Sequence, residues 1–301
     1  MKKLLLCRPQ GGLNDILCQI EKCCRYAEQT DRTVIVDTNY RNSLYFGDHF
    51  GRYFVSRQSK FILNADNFSG SFDRMQVFPE FLSGRVSRYT TTWDTERWNW
   101  RDSDSAQPVT FDFSKSYPQE LLVHHQSGGG SIAQFALLRM RLEDSIVDEL
   151  ARRVRQIGTS YSAIHVRHTD YTTIYEPTLL QLGKSPVKRL FVATDNGKVL
   201  DDFRLALGRD RVFSFATLPS SAGEPLHNSR SPAAQTYAKN RDSILDLLML
   251  ALSNRLYILK VEPNKYGVTY SGFSALAHNL WSAKIILKHL ISRPDIGFGL
   301  D

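Results

Sequence analysis

Ala163-Ile-His-Val-Arg-His-Thr-Asp-Tyr171 is an apolar run that ends in a His-x-Arg-x-Thr-Asp cluster, and its reading decides the fold. Gly158 and Ser160 bound it upstream, so Tyr161 to Val166 has the length and composition of a buried strand. Its polar tail then falls at the carboxyl end of that strand, where α/β sheets meet their ligands. Arg167 stands out, because a guanidinium is always charged and forks to two oxygens of an anion. A buried structural Arg–Asp pair fits the same residues, and the cluster alone leaves both readings open.

Outward from this strand the chain alternates. Downstream come a strand Leu190-Phe-Val-Ala193 followed by Thr194-Asp195, a helix over 198–207 and a strand Val212–Phe215. A polar loop 217–240, an apolar helix 242–254, a strand Leu256–Leu259 and a last helix from Ala275 complete the half. Upstream, Leu4 to Cys7 reads as a strand and Pro9-Gln-Gly-Gly-Leu-Asn14 as a turn. A helix follows, with apolar residues at 13, 16, 17, 20, 24 and 27, then a strand Thr33-Val-Ile-Val-Asp37. Strand, helix and parallel strand in succession make a right-handed unit. The fold class expected is α/β, with two facing doubly wound, Rossmann-like domains over 1–158 and 159–301 and a cleft between their carboxyl edges.

Residues 40–115 are rich in aromatics, Asn, Ser and Asp with little periodicity, so 56–120 reads as an irregular insertion on the first domain. Its Trp93, Trp98 and Trp100 are expected to cover a core edge, a commoner use of indoles than stacking on sugars. Asp102-Ser-Asp104 has no apolar strand before it and is expected in a solvated loop, with no metal bound. His124 and His125 close a strand from Leu121 and read equally as cleft or linker residues.

The 301 residues, 42% hydrophobic, suffice to bury a full core and have a usual length for two α/β domains, with one large domain as the alternative. Lys and Arg number 38 against 31 Asp and Glu, a net charge of +7 that favours anionic partners such as nucleotides. The basic residues are scattered and match no nucleic-acid motif, so nucleic acid is not an expected partner. All four cysteines lie between Cys7 and Cys24, without disulfide or zinc spacing, and are expected to be reduced. The apolar run Leu4–Cys7 is too short for a secretory signal, and no stretch reaches the ~20 apolar residues of a membrane helix. A cytoplasmic protein, soluble or peripherally membrane-associated, is expected.

Four further elements join Arg167 in the chemistry. Gly11, Gly12 and Asn14 open the first helix, where backbone N–H groups can meet an anion; the missing Gly-x-Gly-x-x-Gly spacing disfavours a dinucleotide cofactor. Asp195 ends a strand and reads as a hydroxyl-binding carboxylate or as a helix cap. Asp246 lies inside an apolar helix and needs a ligand or an Arg as partner. Ser271-Gly-Phe-Ser274 is a tight turn into a helix, a phosphate cradle or an ordinary cap.

Taken in order, Gly-Gly-x-Asn after the first strand, Thr33–Asp37, His165-Val-Arg-His-Thr-Asp170 and Ala193-Thr-Asp195 resemble the α1,6-fucosyltransferases. Gly223-Glu-Pro-Leu-His227, Ile244-Leu-Asp246 and Ser271–Ser274 continue the likeness. The resemblance covers most of 4–55 and 160–282. It implies a GT-B-like, inverting, metal-independent glycosyltransferase that moves L-fucose from GDP-β-L-fucose to a glycan hydroxyl, with no cofactor. It also implies Arg167 on the β-phosphate and His165 and Asp246 near the guanosine. Asp195 would lie beside the donor, Ser271, Gly272, Phe273 and Ser274 beside the phosphates, and Gly12, Asn14 and His227 among the donor contacts. The base departs from the family: Tyr171 replaces a Lys after Thr-Asp, and Glu176 is displaced by one position. Glu176 is the first candidate for the base and Asp170 the second. Another nucleotide sugar as donor, or a catalytically idle nucleotide- or glycan-binding protein, are the alternatives.

Overall fold

The computed structural model describes residues 3–41, 45–68, 70–218, 233–263 and 267–293. The chain divides into two units, Met1–Arg141 and Leu142–Asp301. The first carries β1 (Leu4–Cys7), α1 (Leu13–Thr30), β2 (Thr33–Val36), β3 (Phe54–Ser56), β4 (Phe61–Ile62), β5 (Val77–Phe78), β6 (Thr91–Asp94), β7 (Asn99–Asp102), β8 (Leu121–His124) and α2 (Ala133–Leu137). At the division lies β9 (Met140–Leu142). The second carries α3 (Asp144–Ile157), β10 (Ser162–Val166), α4 (Glu176–Gly183), β11 (Leu190–Thr194), α5 (Gly197–Leu207), β12 (Val212–Phe213), α6 (Ala233–Leu252), β13 (Arg255–Ile258), α7 (Gly272–Ser282) and α8 (Lys284–Ile291). The division thus falls before α3 and not near Gly158, because α3 packs on α6 of the second unit.

In the first unit five parallel strands stand in the order β4-β2-β1-β8-β5. Central β1 is buried at all four positions, which a strand flanked on both edges and covered on both faces requires. Ile16, Leu17, Ile20, Cys23, Cys24 and Ala27 form the buried stripe of α1. The four cysteines are free and buried. The segment 56–120 is no insertion: it supplies both edge strands, β4 and β5, and core residues Phe72, Val77, Leu82, Val86 and Tyr89. Two-residue strands leave no period-two trace in a sequence, which is why this part reads as irregular.

The second unit holds a parallel sheet in the order β12-β11-β10-β13. Leaving β10 the chain moves to β11 and β12, then returns to place β13 on the other side of β10. The topological switch point therefore lies between β10 and β13. Helix α6 begins well before the apolar stretch at 242, since its first turns carry polar residues such as Gln235 and Lys239 that hide the helical period. Among the described residues no helix is long and apolar enough to cross a membrane.

Candidate active site

His165 is the penultimate residue of β10, and Ser274 lies in the first turn of α7, the helix that follows β13. Their contact, Nδ1 to Oγ at 2.6 Å, spans the switch point. Ser271 caps α7: its Oγ accepts the Ser274 N–H at 3.1 Å and donates to the Ser274 Oγ at 3.0 Å. That leaves the Ser274 proton for Nδ1 and places the proton of the neutral ring on Nε2. Burial, partly offset by Asp195 and reinforced by Arg167, brings His165 down to about 4, so the ring is neutral at physiological pH. Phe273 packs on the imidazole with ring centroids 4.9 Å apart. The N–H groups of Gly272 and Phe273 have no hydrogen-bond partner among the described residues, as the first turn of any helix leaves them.

Arg167 lies one residue past β10. Its Nε is 2.6 Å from Asp170 Oδ1 and 3.1 Å from Asp195 Oδ2. Burial disfavours the guanidinium charge, and the two carboxylates outweigh it, so its pKa stands above the ordinary value. Asp195, 4% exposed, is a hub. Its Oδ1 accepts the His168 N–H at 2.8 Å and its Oδ2 the Thr169 hydroxyl at 2.5 Å. The helix cap is the next residue: Asn196 Oδ1 accepts from Lys198 N–H and Val199 N–H, while its Nδ2 donates to the His168 carbonyl at 2.9 Å. Thr173 Oγ1 donates to the Arg167 carbonyl. Asn196 and Thr173 are not singled out by the sequence, although an Asn directly before Gly197 and a helical run is an ordinary cap signal; Thr169 is part of the quoted cluster but has no role assigned there.

The other expected residues are not among these contacts. Asp246, on α6, meets the Arg alternative: Arg153 of α3, 1% exposed, reaches Asp246 Oδ1 at 3.5 Å, bonds Asp242, and takes Glu149 on its Nε at 3.0 Å. Burial, eased by Arg153 and aggravated by Asp242, pushes Asp246 up to about 7. Glu176 opens α4 and is exposed. His227 falls outside the described residues.

Gly12 and Asn14 belong to the first unit. Gly12 is the N-cap of α1, and Asn14 Nδ2 donates to the Gly130 carbonyl at 3.4 Å. A Cβ on Gly129 would lie 2.4 Å from Asp15 Oδ1, so the glycine run after β8 closes over the start of α1. The Asp15 carboxylate there opposes an incoming anion, which weakens the expectation of phosphate at α1. Asp102 is not solvated: it is fully buried and takes Arg85 at 2.6 Å, while Asp104 takes the other end of the same guanidinium at 2.7 Å. No group of three His, Cys, Asp or Glu is placed to hold a metal among the described residues.

Each unit is thus built on a parallel α/β sheet, and the second carries its polar cluster at a switch point. Along 93% of this chain and 93% of its own, the NodZ α-1,6-fucosyltransferase co-crystallized with GDP has a similar fold, at a TM-score of 0.58 and 18% identity. The fucosyltransferase NodZ from Bradyrhizobium matches at 0.58 and 17%, covering 93% of this chain and 92% of its own. POFUT1 in complex with GDP matches at 0.53 and 11%, with coverages of 93% and 95%. At these identities the likeness is one of fold. No protein-family model and no curated protein matches the sequence.

Proposed function

We infer that the protein is an inverting, metal-independent glycosyltransferase that moves L-fucose from GDP-β-L-fucose to a glycan hydroxyl. The observation that carries this reading is the switch-point cluster of the second unit, where a carboxylate-held Arg167 shares a strand end with a Ser-linked His165 beside the open N-terminus of α7. The fold shared with fucosyltransferases crystallized with GDP supports the nucleotide.

The acceptor oxygen bonds to the anomeric carbon while the bond from that carbon to the β-phosphate oxygen breaks, and GDP leaves with the electron pair. Negative charge grows on the diphosphate. Arg167 and the Gly272 and Phe273 N–H groups supply the opposing charge, the kind of electrostatic contribution that is usually the largest single one in catalysis. The neutral Nε2–H of His165 is a donor suited to a carbonyl of the base. A carboxylate, Glu176 first and Asp170 second, takes the acceptor proton, worth about 10²–10⁴-fold.

Thermal shift and turnover across GDP-, UDP- and ADP-sugars test the donor. Stabilisation and transfer with GDP-fucose alone are expected, and preference for a UDP- or ADP-sugar would overturn the assignment. Since Arg85 already engages Asp102 and Asp104, activity should survive EDTA; loss on chelation with recovery on manganese would refute metal independence.

A further inference from the structure

The hairpin β6–β7 of the first unit carries aromatic residues that the cluster of the second unit does not use. Trp93 and Trp100 stand directly opposite in its antiparallel register, with ring centroids 5.5 Å apart. Trp98, in the turn, meets Trp93 edge-on at 6.2 Å. Strand alternation puts Trp93 and Trp100 on one face and Asp94, Asn99 and Arg101 on the other. Inward, Trp100 stacks on His125 at 6.0 Å, just past the end of β8 and so at the carboxyl edge of the first sheet. That edge, between β1 and β8, is the switch point of the first unit.

Two features of Trp98 run against a purely structural use. It is 54% exposed, so it forgoes most of the burial an indole offers a core. Its φ of 54° puts a bulky residue in the left-handed region, a conformation that the surroundings must hold at a cost. The expectation that all three indoles cover a core edge holds for Trp100 and fails for Trp98.

We propose that the exposed Trp98 indole, with Trp93 set edge-on beside it, is a stacking platform for a pyranose ring of an uncharged acceptor saccharide. The C–H face of a pyranose is weakly positive and suits the negative face of an indole. The hairpin's charges balance: Asp94 takes Arg97 at 3.0 Å and Arg101 at 2.9 Å, and Glu96 in the same turn supplies a second carboxylate against these two guanidiniums, which leaves no net charge to draw a phosphate, a nucleic acid or an anionic membrane. The site lies by the ligand-binding edge of an α/β sheet, in the unit that lacks the Arg167 cluster. The proposal rests on the reading of the second unit as the nucleotide-sugar site.

Tryptophan fluorescence of the full chain, titrated with neutral oligomers of N-acetylglucosamine, glucose and mannose with and without GDP, tests it. At least one oligomer should bind. Trp98→Ala should weaken that binding at least about tenfold, the loss expected for one stacked ring, and Trp98→Phe should restore most of it. GDP affinity and Tm should not change in either variant. The platform is refuted if no oligomer binds a wild-type protein that does bind GDP, or if Trp98→Ala leaves the affinity intact. Binding to phosphatidylglycerol vesicles alone, lost in Trp98→Ala, would assign the indoles to a membrane and overturn it as well. Failure of GDP to stabilise the wild type would remove the nucleotide reading, while the oligosaccharide titration still decides the platform.

Discussion

The Arg167 guanidinium lies 3.1 Å from the carboxylate of Asp195, a residue that follows the neighbouring strand and also takes the His168 N–H and the Thr169 hydroxyl. One buried carboxylate therefore sets the path of residues 167–169 and the direction of the guanidinium together. In the proposed reaction Asp195 would act through Arg167, as a positioning residue.

Arg167→Ala should abolish transfer while leaving the far-ultraviolet circular dichroism unchanged, since losing a charge-assisted contact costs at least about 2 kcal/mol in the transition state. Arg167→Lys keeps the charge without the fork and should recover only part of the rate. Asp195→Asn should lower kcat with a smaller change in GDP affinity. Near-normal turnover of Arg167→Ala would remove Arg167 from the chemistry.

The two candidate bases should part under substitution. Asp170 is already committed to Arg167 at 2.6 Å, whereas Glu176 is exposed at the start of α4. Glu176→Gln should lower kcat about 10²-fold with GDP affinity unchanged. Asp170→Asn should raise KM and lower kcat less, with the same acceptor in both assays. Full kcat in Glu176→Gln together with a dead Asp170→Asn would transfer the role to Asp170.

The neutral state of His165 should be visible in stability against pH. Its folded pKa of about 4 lies below the unfolded value near 6.5, so protonation favours the unfolded chain. The contribution is complete above about pH 6.5 and is lost as pH falls toward 4, on the order of 3 kcal/mol in all. His124 is depressed as well, to about 3, so the comparison needs one variant. Urea unfolding of His165→Asn should lose less stability between pH 7 and pH 4.5 than the wild type; equal losses would mean that folding does not disfavour the protonated ring.

The Arg153 cluster makes a separate prediction about the frame. Removing the guanidinium in Arg153→Met leaves Asp246 buried without its cation and Asp242 with Arg241 alone, at 3.1 Å, and should cost about 3–5 kcal/mol. Asp246, folded near 7 against 3.8 unfolded, lowers stability as pH rises from about 4 through 7. Asp246→Asn should therefore compare better with the wild type at pH 8 than at pH 5 in denaturant titrations. The opposite trend would show that Arg153 keeps Asp246 ionised.

The strands at the centre of each sheet were legible because they are buried on both faces: Leu4–Cys7, Thr33–Val36, Ser162–Val166 and Leu190–Thr194 read as mainly apolar runs and lie within a residue of the expected bounds. Edge strands β4 and β5, two residues each, left no such trace. Helix α4, opened by Glu176-Pro177 and with a single buried residue, Leu182, carries too narrow an apolar stripe to announce itself.

The sequence by itself determined the α/β class, the strand ends and the chemical types gathered there, since hydrophobic period and residue chemistry are local properties. Tertiary structure decided which polar groups meet. Asp195 became a hub for Arg167 and Asn196 the cap, because β10 and β11 end side by side. Ser274 met His165 because β13 returns to pair with β10. Asp246 met Arg153 because α6 packs on α3. Such pairings join residues far apart in the chain, and a buried charge is settled by whichever partner the packing brings within reach.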